Sequence, residues 1–208
     1  MVTLLLTLGA MQLAHGAEPM VEVGIAAGVG MDLPDAFGTR AQFGLGPHLI
    51  APVTVVVAEY AAVRASLRGD AGFGRAALWT EEADLRGEEW DARFFAGGLT
   101  LGPELRLPLG GVTVGLGAEA GTTLMRVDYA LPDGGAFSVL DRKNTAQVSI
   151  VSDLHLGVSG GGTTGWFAEL GYTMAWFDGG TLAESPLVRQ SSWGWNAPRV
   201  GAGVRFQL

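Results

Sequence analysis

Apolar and polar residues alternate strictly to the end of the chain, with Val200, Ala202, Val204, Phe206 and Leu208 on one parity and Arg199, Gly201, Gly203, Arg205 and Gln207 between them. Successive side chains of a strand point to opposite faces, so this spacing specifies a terminal strand with one oily and one polar face. The same pattern recurs upstream in Val21 to Val29, Arg40 to Leu49, Ala61 to Asp70, Leu99 to Leu107, Val112 to Gly121, Ala146 to Val158 and Trp166 to Trp176. Eight segments result. Pro52 marks a turn after the second, and the facing of Val53 to Tyr60 is not fixed by the pattern. Pro47 and Pro103 fall inside strand-like segments, where the missing N–H demands bulged or unpaired backbone.

Composition narrows what such strands can build. Of the 208 residues, 48 % are hydrophobic and only 16 % charged, with Lys143 the sole lysine; soluble domains carry about a quarter charged residues. Outside the N-terminus no apolar run reaches the ~18 residues of a membrane helix, so oily side chains are distributed by alternation instead. The 33 glycines disfavour helix and suit tight strand curvature. A formal charge of −8 argues against a nucleic-acid partner, whose phosphates need a basic surface. Zero cysteines exclude a disulfide framework, thiol chemistry and a cysteine-linked lipid anchor.

Residues 1–17 form an apolar run closing in Ala14-His15-Gly16-Ala17, which reads as a secretory signal cleaved after Gly16 or Ala17. Residues 18–208 then form a single barrel domain. Connections are short after the second, fourth and sixth segments. They are mostly long after the third, fifth and seventh, at roughly Ala71 to Arg93, Val127 to Asn144 and Asp178 to Ala197. Short turns on one side and long loops on the other are the marks of an eight-stranded antiparallel up-and-down transmembrane β-barrel, with both chain ends at the periplasmic rim.

The alternation, the turn asymmetry, the signal segment and the closing strand together resemble the small OmpA/OmpX-type outer-membrane barrels. That resemblance implies an outer-membrane location and a structural, adhesive or resistance-related surface role. It also implies contact with outer-membrane lipid and lipopolysaccharide, and recognition of the C-terminal strand by the barrel-assembly machinery. A monomer without cofactor or metal is expected, its extracellular ligand unspecified.

A water-facing exterior would carry many charges, yet the polar faces here are mostly glycine, serine and threonine with isolated ionisable groups. The apolar faces are therefore assigned to lipid, and the interior to Glu22, His48, Arg64, Arg68, Asp70, Glu104, Arg106, Glu119, Asp153, His155, Glu169 and Arg205. Buried charges of both signs must pair, so a polar network plugging the barrel is expected. Counting from the short-turn ends puts His48, Glu104, His155, Glu169 and Arg205 at one depth, with Arg64, Glu119 and Asp153 a layer above. Tyr172, Trp176, Trp193 and Trp195 near the long loops, and Tyr60, Trp166 and Phe206 near the short turns, fit two aromatic girdles.

Two chemical alternatives follow from the residues. Ser149, Asp153 and His155 share one face, so a barrel enzyme acting on lipid, of deacylase or acyltransferase type, is an alternative; stacked positions on one strand make a poor triad, and the expectation is no enzyme. A secreted soluble barrel with an apolar ligand is the other. The loop residues Glu81, Glu82, Asp84, Glu88, Glu89 and Asp91 offer carboxylates for divalent ions, but a charge run is by default a solvated one.

Overall fold

The computed structural model describes residues 20–31, 41–42, 44–77, 89–130, 147–178 and 192–208. These form β1 (Met20–Met31), the two-residue β2 (Ala41–Gln42), β3 (Leu45–Ala58), β4 (Ala61–Ala77), β5 (Glu89–Leu109), β6 (Val112–Ala130), β7 (Gln147–Gly161), β8 (Thr164–Asp178) and β9 (Ser192–Gln207). The signal segment at 1–17 lies outside the described residues.

Each long strand pairs antiparallel with its neighbours in sequence, and β1 returns to β9 from Glu22↔Gln207 to Gly30↔Arg199. Eight long strands thus close on themselves without an edge, while β2 adds two residues beside the far end of β4. Closure is what satisfies the backbone of a sheet in lipid, where water cannot. The short connections, Glu59–Tyr60, Gly110–Gly111 and Gly162–Thr163, all lie at one end. Gly110 and Gly111 have φ of 60° and 109°, the left-handed pair that a two-residue hairpin needs to match strand twist.

Pro52 does not mark a turn. It lies inside β3 opposite Ser66 of β4, and the hairpin comes at Glu59–Tyr60 after a register irregularity between Val56 and Ala58. That irregularity leaves Ala61 and Ala62 both buried, and fixes the upstream run with Val53 outward and Thr54 inward. The strand accommodates Pro52 because the β1–β3 ladder skips from Val23↔Val53 to Ala26↔Ile50. Pro103 likewise falls where the β5–β6 ladder skips from Leu101↔Ala120 to Glu104↔Gly117, and Pro47 lies just past the last β3–β4 pair, His48↔Asp70. Each proline is therefore placed where its missing N–H forfeits little. The long excursions are also shorter than expected, since β4 continues to Ala77, β5 starts at Glu89 and β9 starts at Ser192.

The outer surface is apolar all round: Leu49, Leu67, Leu101, Leu116, Leu154 and Leu170 are each 49–62 % exposed. No water-soluble exterior of this size would carry such a surface. From Leu99 to Leu107 a strand tilted about 40° rises roughly 20 Å, and roughly 30 Å if Phe95 is included, bracketing the about 25 Å apolar band of an outer-membrane barrel. The inside is the reverse, with Ala26, Ile50 and Phe167 forming only a small apolar cluster among charged residues.

Candidate functional site

An eight-stranded barrel has an interior just wide enough to be filled by side chains. Here long charged residues reach across it from inward positions, lying over small ones. A Cβ on Gly117 would come within 2.3 Å of His155 Cε1, and one on Gly171 within 2.3 Å of Arg199 Cζ. The glycines of β6 and β8 are thus the floor on which an imidazole and a guanidinium rest.

Arg64 is the hub. Its Nη2 donates to Glu169 Oε2 at 2.7 Å and its Nε to Ser66 Oγ at 3.2 Å, with Glu119 Oε1 3.1 Å from Nε and Glu104 Oε2 3.6 Å from Nη1. Above it, Arg199 donates to Glu169 at 2.7 Å and to Asp153 at 2.5 Å, and Asp153 also pairs with Arg68. Arg68 continues to Thr173 at 2.5 Å and to Asp70 at 3.6 Å, and Asp70 accepts from His48 Nδ1 at 2.6 Å. Below it, Glu104 lies 3.6 Å from Arg106, which clamps Glu22 through two bonds of 2.8 and 3.0 Å, and Glu22 also pairs with Arg205. His155 lies between two carboxylates, 3.2 Å from Glu104 and 3.5 Å from Glu119. Ser66 and Thr100 hydroxyls donate to the two oxygens of Glu119 at 3.1 and 2.5 Å.

Every one of these ionisable side chains is at most 10 % exposed, and the pairs join into one chain running from His48 at the loop end to Arg205 at the turn end. The described network holds six carboxylates, five guanidinia and two imidazoles. Desolvating isolated ions would be prohibitive, so near-balance of sign and multiple hydrogen bonds per ion are what make this interior tenable. Arg64 reaches across the lumen from β4, and Arg199 from the neighbouring β9, to a common acceptor on β8, Glu169. Replacing Gly171 with alanine should force Arg199 off Glu169 and Asp153 and lower stability by about 1–3 kcal/mol, the usual range for overpacking. A chemical denaturation series on the refolded barrel checks this; an unchanged midpoint would mean that Arg199 has slack.

All eleven interior candidates, Glu22, His48, Arg64, Arg68, Glu104, Arg106, Glu119, Asp153, His155, Glu169 and Arg205, are buried, and Asp70 joins them. Their depth order differs from the count made along the sequence. His48 pairs with Asp70 at the loop end, far from Glu104 and Arg205. The hairpin at Glu59–Tyr60 lies seven residues beyond Pro52, which lifts His48 toward the loops. Arg199 is a further member that the interior set lacks, although it stands on the same polar parity of the closing strand as Arg205 and is 5 % exposed.

Of the girdle candidates, Tyr60, Trp166 and Phe206 are 52, 48 and 43 % exposed at the turn end and Tyr172 is half-buried. The side chains of Trp176, Trp193 and Trp195 lie outside the described residues. The Tyr60 phenol is held above its ordinary range by a hydrogen bond to Glu59 and by that carboxylate's charge. Ser149 lies in β7, but its side chain is outside the described residues, as are those of the acidic run from Glu81 to Asp91. Asp153 bonds Arg68, Arg199 and Thr173, while the His155 ring lies against Glu104 and Glu119; the two are stacked partners of different ions rather than members of a relay.

An apolar outer wall, a closed ring of eight antiparallel strands and an ionic interior define an eight-stranded up-and-down β-barrel of the membrane-spanning kind. No protein-family profile matches the chain. No curated protein matches it either. Among solved structures it is similar to Neisserial surface protein A, at 15 % identity and a TM-score of 0.48 over 91 % of this chain and 97 % of that one. It is similar also to Ail, the attachment invasion locus protein of Yersinia pestis, at 14 % identity and 0.48 over 91 % and 100 %. OprG from Pseudomonas aeruginosa gives 15 % identity and 0.49 over 91 % and 95 %.

Proposed function

We propose that the protein is a non-enzymatic integral barrel of the outer membrane, plugged by its own side chains, with a structural or surface-interaction role of the adhesion or resistance kind. The observation that carries this reading is the continuous ionic chain across the lumen, in which the candidate acids and histidines are already engaged with one another. A catalytic group must be free to meet substrate; here the acids are held by arginines and the two histidines by carboxylates. The lipid-facing wall points to outer-membrane lipid and lipopolysaccharide as its solvent. The regular closing strand β9 is the element that the barrel-assembly machinery would engage, and ring closure within one chain favours a monomer.

The test is fractionation of the expressed protein followed by electrophoresis with and without boiling. Recovery with outer membranes and a heat-dependent shift in migration are expected. A monomer that stays in solution without detergent would remove the membrane reading, and turnover of phospholipid or lipid A by the purified barrel would remove the non-enzymatic one.

A further inference from the structure

Below the Arg64 hub the lumen is not filled. A cavity of about 50 Å³ lies at the turn end, lined by Glu22, Arg106, Arg205, His155, Thr54 and Ser159. A site holds a water when about 10–15 Å³ is open to a probe of that size and two to four polar groups surround it, so this space fits roughly three to five waters. Its lining is mixed, arginines and a histidine alternating with the carboxylates of Glu22, Glu104 and Glu169 and with apolar Pro52 and Phe167. Arg205 is 8 % exposed and its Nε has no hydrogen-bond partner, and the Glu22 carboxylate already accepts from Arg106 and from the terminal nitrogen of Arg205. An unpaired buried guanidinium N–H is costly, and an acceptor in the cavity removes that cost. Toward the loops the lumen changes character: Thr123 is 4 % exposed and bonded to Gly97, and Ala96, Met125, Val151 and Ala175 are all buried.

We propose that this cavity is a blind aqueous vestibule entered from the short-turn end, taking water and ions of similar size as far as the layer of Arg64, Glu169 and His155, and no further. The proposal rests on the plugged-barrel reading and adds to it a one-sided hydrated site. Its mouth at the turn end is marked by Ser159 and Thr113, which are half-buried, and its depth by Thr54.

Because the chain has no cysteine, single thiols report access directly. Thr54→Cys and Thr123→Cys, each refolded in detergent and checked for heat-modifiable migration, are exposed to mercuric ion and read by the mass of the intact chain. Mercury addition is expected at Thr54→Cys at a rate at least tenfold above that at Thr123→Cys. Ser159→Cys, nearer the mouth, should react faster still and replaces Thr54→Cys if that variant fails to fold. A folded Thr54→Cys that stays unmodified while Ser159→Cys reacts would show the cavity to be dry, overturning the vestibule and leaving the plug intact. Reaction at Thr54→Cys no faster than at Thr123→Cys would likewise overturn the vestibule.

Discussion

Replacing Arg64 with methionine is expected to lower the stability of the refolded barrel by about 3–5 kcal/mol, the range for breaking a buried ion pair from one side. The reason lies in what remains. Glu104, Glu119 and Glu169 all lie within 3.6 Å of the Arg64 guanidinium, and without it three buried carboxylates face one another. Their other partners soften the loss without cancelling it: Arg199 still holds Glu169, Ser66 and Thr100 still donate to Glu119, and His155 lies near two of the three. Methionine keeps much of the bulk, so a cavity is not the main term. Urea titration in lipid vesicles, followed by tryptophan fluorescence, measures the change. Adding Glu169→Gln to Arg64→Met should recover part of it, because the second substitution removes a charge that the first left stranded. A loss below about 1 kcal/mol, or strict additivity of the two substitutions, would show that water already serves these carboxylates.

That the chain closes into a barrel is legible from local pattern alone, since strand period, short-turn chemistry and the missing charge are properties of neighbouring residues. Which charges go inside follows from parity along one strand, and the eleven named side chains are all buried. Relative depth did not survive, because depth depends on the stagger between strands and on where each hairpin begins. A proline read as a turn displaced His48 from the loop end to the turn end, although Pro52 is a strand residue tolerated at a gap in the β1–β3 ladder. Arg199 is different: its parity with Arg205 is visible in the closing strand, and only its carboxylate partners on β7 and β8 show that it belongs to the network. Pairing partners are further from view still. Nothing in the sequence couples Arg64 to Glu169, 105 positions away, except the closure of the ring.

The orientation of the two faces is the claim with the sharpest experimental signature, and Leu101 is the position to test it. It is 58 % exposed on the outer wall, midway along the apolar run of β5, with Ala65 and Ala120 as its cross-strand neighbours. Leu101→Arg should cost about 2–4 kcal/mol, as expected for a cation held at the middle of the hydrocarbon band, where neither interface is within easy reach. Leu109→Arg, on the same strand beside the Gly110–Gly111 turn and 53 % exposed, should cost only about 0–1 kcal/mol, because the guanidinium meets headgroups and water there. Exposure is nearly equal at the two sites, so a barrel standing in water would treat both as surface substitutions within about 0.5 kcal/mol of neutral. The difference between the two variants, measured by urea unfolding from vesicles, therefore isolates depth in lipid from everything else that an arginine does. Equal and small losses would turn the wall toward water and require another explanation for a surface of leucines. A gradient of about 2 kcal/mol or more fixes the hydrocarbon centre near Leu101 and places the ionic plug inside the membrane, where Arg64 and its carboxylates have no solvent but one another.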